Sequence, residues 1–78
     1  MITCYIFIKA TAGFVEKILS RLRQMEEVKE ADAVTGTVDI IAKVEVEDFT
    51  YISKVILSKV HQIDGVEKTS THFVTPIP

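Results

Sequence analysis

Ile18-Leu19-Ser20-Arg21-Leu22-Arg23-Gln24-Met25-Glu26 lies over Ile56-Leu57-Ser58-Lys59-Val60-His61-Gln62-Ile63-Asp64 when the chain is laid on itself at a shift of 38 residues. At the same shift Ile2, Cys4, Ile6 and Ile8 fall over Ile40, Ala42, Val44 and Val46, and Val28 falls over Val66. The matched stretches carry two different periods, 3.6 residues for the first set and two for the second. A chance match does not keep both periods in one register. The chain therefore reads as two strand–helix–strand halves.

Working outward, Ile2–Ile8 is β-branched and aromatic, as expected of a central strand covered on both faces. Phe14, Val15, Ile18, Leu19, Leu22 and Met25 share one helical face, with Glu16, Lys17, Arg21 and Arg23 opposite. An amphipathic helix is predicted over residues 13–25. Val28–Thr35 is a weaker, more polar strand, and Gly36-Thr37 the tip of a hairpin. Val38–Val46 alternates apolar and polar residues as a half-buried strand does. Asp48 is a plausible N-cap for a second helix, whose apolar positions are Phe49, Ile52, Val55, Ile56, Val60 and Ile63. Gly65 suits the left-handed position that ends it, and Val66–Val74 is the last strand, stopped by Pro76 and Pro78.

Two βαβ halves joined by a short hairpin predict an α+β, ferredoxin-like βαββαβ domain spanning residues 1–78. Right-handed crossovers place the apolar first and third strands centrally and the polar second and fourth at the edges of a four-stranded antiparallel sheet. Both helices then pack on one face, against Ile2, Cys4, Ile6 and Ile8. The opposite face carries Tyr5, Phe7 and Ile41 with no helix to cover them, which predicts a partner sheet and a homo-oligomer. Which side of the last strand faces the helices is left open, because both sides mix polar and apolar residues. Composition agrees with assembly: 47% of the 78 residues are apolar, in a chain whose size allows burial of only about 60–65% of its unfolded surface.

A net charge of −2, with nine scattered Lys/Arg and no basic run, disfavours direct nucleic-acid binding. Met1–Ile8 lacks a basic flank and is too short to span a bilayer, so a cytoplasmic protein with no membrane partner is expected. Cys4 is the only cysteine and reads as a small core residue in a reducing compartment. No phosphate-binding glycine loop, paired-cysteine motif or nucleophile elbow is present, so no cofactor, metal or catalytic residue is assigned.

His61 reads as a solvated helix residue and His72 as an edge-strand side chain. Glu26-Glu27 and Glu45-Val46-Glu47-Asp48 read as solvated rims of turns. The hairpin Val34-Thr35-Gly36-Thr37-Val38-Asp39 has two readings. It is a structural turn with Asp39 exposed, or it is a small-ligand loop in which glycine lets backbone N–H groups approach an anion while Asp39 holds an ammonium.

The pattern Val-Thr-Gly-x-x-Asp at 34–39, followed by a helix and then Gly-Val-x-x-Thr-x-Thr at 65–71, resembles the effector-binding domain of the Lrp/AsnC family, also called the regulation-of-amino-acid-metabolism module. The resemblance covers essentially the whole chain. It implies a dimeric α+β barrel formed by sheet-on-sheet packing, multiples of dimers, and an amino-acid effector held between subunits. The implied ligand residues are Gly36, Thr37, Val38 and Asp39, with Thr69 and Thr71. Val38 departs from the aromatic residue the family commonly carries before the aspartate. It further implies a stand-alone form without the helix-turn-helix half, with a full-length regulator as a possible partner.

A rival reading is a small dimeric α+β barrel enzyme of the monooxygenase or isomerase type. It requires His72 or Tyr5 to point into a roomy pocket on the covered sheet, beside another polar partner.

Overall fold

The computed structural model describes residues 1–78. The elements are β1 (Ile2–Ala10), α1 (Val15–Arg23), β2 (Val28–Ala33), β3 (Ile40–Val46), α2 (Phe49–Tyr51) running through a π-helical segment Ile52–Ile56 into α3 (Leu57–His61), and β4 (Val66–Phe73). The strands form one antiparallel sheet in the order β2-β3-β1-β4. The polar strands are at the edges and the apolar ones in the centre, as the sequence requires. This is the ferredoxin-like βαββαβ fold.

Alternation along β1 and β3 builds the core. Cys4, Ile6 and Ile8 of β1 and Ile40, Ala42 and Val44 of β3 are fully buried, together with Ile18, Leu22, Ile52, Ile56 and Val60 of the helices. Burying one such Ile or Leu side chain is worth about 1.5–3 kcal/mol, so this single layer supplies most of the driving force for folding. Burial also pushes the Cys4 thiol above its ordinary range and keeps it inert.

The expected single second helix contains a π-helical turn. Its buried residues Ile52, Ile56 and Val60 are spaced by four throughout. That spacing overshoots an α-helical turn by about 40° each time. One wider turn takes up the excess and holds the three side chains in line over the sheet. Asp48 caps the helix as expected, its Oδ1 accepting from Thr50 N–H at 2.8 Å. Phe49 departs from expectation: it is 55% exposed. It opens the helix beyond the last residue of β3, and its ring stacks on Phe73, the last and itself exposed residue of β4, with centroids 4.5 Å apart.

The register assigns the faces of β4 that the sequence left open. Tyr5 pairs with His72, Phe7 with Ser70 and Lys9 with Lys68, so Lys68, Ser70 and His72 share the face of Tyr5, Phe7 and Ile41. Thr69 and Thr71 pair with the buried Ile8 and Ile6 and point to the helix side. Tyr5, Phe7 and Ile41 are half-buried on the face that carries no helix.

Candidate functional site

The hairpin between β2 and β3 is closed by one backbone bond and tied to the end of β1 by two more. Val34 N–H donates to the Asp39 carbonyl (2.9 Å), and Asp39 N–H donates to the Ile8 carbonyl (2.9 Å). Ala10 N–H donates to Asp39 Oδ2 (2.8 Å) at the position where the β1–β4 register shifts. Lys9 Nζ stands 3.8 Å from the same carboxylate oxygen. Asp39 is thus a half-buried clamp on the β1 bulge, and its two contacts use one oxygen. Gly36 has φ +125°, a conformation that a residue with a Cβ rarely adopts, and the space around it is open.

The tied hairpin overhangs one end of the helix-free sheet face. An open groove of about 690 Å³ lies there. Thr37 and Val38 form its hairpin wall, Phe7 and Lys9 its floor, and Glu67, Lys68, Thr69 and Ser70 its β4 wall. Two ammonium groups and one carboxylate, with three hydroxyl-bearing residues and an aromatic ring, line a single depression. Glu67 Oε2 is held by the Thr11 hydroxyl at 3.0 Å. Ser70 Oγ lies 2.8 Å from His72 Nε2, and the His72 ring leans on Phe7 with centroids 4.7 Å apart. A zwitterion matches this set: lysines for an anion, carboxylates for a cation.

The expected site residues are brought together only in part. Thr37, Val38 and Thr69 line the groove, while Gly36 and Asp39 shape the hairpin beside it. Thr69 lines it from a strand position whose side chain faces the helices, where His61 Nε2 lies 2.7 Å from Thr69 Oγ1. Thr71 faces the helix side and does not line the groove. Lys9, Glu67, Lys68 and Ser70 line it without having been singled out, because each alone reads as an ordinary solvated strand residue. Only the Lys9–Lys68 pairing, invisible until the register is known, joins them.

Tyr5 and His72 stand opposite each other on the open face, and neither lines the groove. No group of three His, Cys, Asp or Glu residues is placed to hold a metal ion, and no helix is long and apolar enough to cross a membrane.

Fold and groove together define a βαββαβ module with a ligand-sized depression at the hairpin end of its open face. Residues 3–77 match the model of the Lrp/AsnC ligand binding domain, and the chain belongs to that family. It is 32% identical over 76 residues to an HTH-type transcriptional regulator of Pyrococcus horikoshii, PH0140, covering 97% of this chain and 48% of the relative. The chain therefore spans about half the length of the curated relatives it matches. The crystal structure of TTHA0845 from Thermus thermophilus superposes with a TM-score of 0.92 at 26% identity, covering 100% of this chain and 98% of that one. Escherichia coli AsnC gives a TM-score of 0.86 at 30% identity, covering 99% of this chain and 54% of AsnC.

Proposed function

We propose that this chain is a regulatory, non-enzymatic module that binds a free amino acid in the hairpin groove, at a site completed by a second subunit. The observation that supports it most is the groove itself, where Lys9, Lys68 and Glu67 meet the Asp39-clamped hairpin on an otherwise uncovered sheet face. The lysines receive the ligand carboxylate, and the remaining oxygen of Asp39, with Glu67 beside it, receives its ammonium. Tyr5, Phe7 and Ile41 form the apolar centre of a sheet-on-sheet dimer, and the groove lies at its margin. A ligand that bridges subunits prefers the assembled state and shifts assembly by that difference in affinity. Through assembly the module modulates itself or a longer regulator of the same family.

The fold has a liganded precedent in a transcriptional regulator of Neisseria meningitidis solved as an L-Met complex, which shares it at a TM-score of 0.83 and 21% identity. A thermal-shift screen of the twenty amino acids tests the reading. A ligand that binds only the folded assembly raises the melting temperature by mass action, and at 100 times its Kd the gain is about 2.7 kcal/mol. No shift with any amino acid at millimolar concentration overturns it.

A further inference from the structure

The pole of the molecule opposite the hairpin carries a second surface. The exposed large apolar side chains are Met1, Phe49, Tyr51, Phe73, Val74 and Ile77. The strand register gathers them: Ile2 pairs with Val46 and Cys4 with Phe73, so the start of β1, the exit of β3 into α2 and the exit of β4 all meet at this end. Val74 N–H is held by the Thr3 carbonyl at 3.0 Å, and Pro76 lies beside Met1 and Ile2, which brings the tail to the same place.

The patch is organised by its own contacts. Phe49 and Phe73 stack, and the Tyr51 hydroxyl donates to Glu27 Oε2 at 2.8 Å. Next to them a cavity of about 300 Å³ is floored by Val46 and Tyr51 and fenced by Glu27, Glu45, Glu47 and Asp48. The Tyr51 hydroxyl, with a backbone N–H, holds the Glu27 carboxyl below its ordinary range, so this carboxylate stays charged at neutral pH.

We propose that this pole is a docking site for a basic amphipathic segment of a partner protein. Its large apolar side chains rest on Phe49 and Phe73, and its Lys or Arg side chains enter among the four carboxylates. Charge selects this occupant. A second copy meeting the pole symmetrically sets carboxylates against carboxylates. An anionic membrane surface repels the same fence. A cationic partner gains both burial and ion pairs. The proposal stands apart from the amino-acid groove, which lies at the other end of the sheet.

The test titrates the full chain with a fluorescent helical peptide of about four turns, Leu on one face and Lys on the other. The control peptide carries Glu in place of Lys. The Lys peptide is expected to bind and to shift the aromatic NMR signals of Phe49, Tyr51 and Phe73. The Glu peptide is expected to bind at least about tenfold more weakly. Glu47→Lys, at an exposed position between β3 and α2, should weaken the Lys peptide and strengthen the Glu peptide, with the thermal melt unchanged. Phe49→Ser should weaken both peptides. Equal binding of the two peptides, or no aromatic shift at millimolar peptide, overturns the proposal. So does a change in the protein's own self-association with Phe49→Ser, which assigns the pole to a second copy. Shifts of the same aromatic signals on anionic vesicles, with none on the peptide, assign it to a membrane.

Discussion

Asp39 accepts a 2.8 Å hydrogen bond from the backbone N–H of Ala10, tying the β2–β3 hairpin to the bulge of β1. One carboxylate thus fixes the hairpin over the groove and stands beside Lys9 on the groove floor. Fold and binding roles meet in this side chain, and two substitutions separate them. Asp39→Ala leaves the part-buried N–H without its acceptor, at a cost of about 1–3 kcal/mol in urea unfolding. Asp39→Asn keeps an acceptor and removes only the charge, so it should lose a smaller part of that stability.

Phe7→Lys places a charge at the centre of the helix-free face, beside Ile41 and Ser70. Light scattering at micromolar protein should report a dimer or a multiple of dimers for the wild type and a smaller species for the variant. A wild-type mass of 8.7 kDa, the monomer, would contradict the sheet-on-sheet assembly.

Gly65 has φ +93°, and a Cβ placed on it runs into the side chain of Phe14. Gly65→Ala should therefore destabilise the protein twice over, by backbone strain and by collision, by about 1–3 kcal/mol in all. Phe14→Gly, which removes the Phe14 Cβ along with the ring, should relieve the collision but not the strain at Gly65. In a double-mutant cycle the pair should be less destabilised than the sum of the singles. Strict additivity would show that the two residues do not meet.

The Tyr51–Glu27 hydrogen bond sets a pH window. The bond lowers the Glu27 pKa, so its contribution is present above the unfolded carboxylate range and is lost as pH falls through the folded value. The same bond raises the Tyr51 pKa, so from that side the contribution is present below the ordinary phenol value near 10 and is lost as pH rises past the folded one. The difference in urea midpoint between wild type and Tyr51→Phe should form a plateau that closes at both ends. The effect is small because both groups are solvated. A difference that does not vary with pH would exclude the bond in solution.

The fold was legible because its signals are one-dimensional. The 38-residue repeat, the alternation of β3 and the Asp48 cap each depend on neighbours in sequence. The binding groove was legible only at its hairpin. Lys9 and Lys68 are far apart in the chain and meet through β1–β4 pairing, whose register shifts at Lys9/Ala10. That pairing turns Lys68 and Ser70, rather than Thr69 and Thr71, to the open face. Strand alternation cannot choose between two mixed faces; only the partner strand can. Phe49 misled for a similar reason: helical spacing aims it at a core that ends before reaching it.

The central claim, an amino-acid site at the clamped hairpin, is tested most directly by calorimetric titration of the L-amino acids into wild type, Asp39→Asn and Glu16→Gln, the last on an exposed helix face outside the groove. At least one amino acid should bind wild type and Glu16→Gln alike. Asp39→Asn should bind it about ten- to hundredfold more weakly, the loss of one charge-assisted contact. Binding of none at millimolar concentration, or equal binding by all three proteins, would contradict the account.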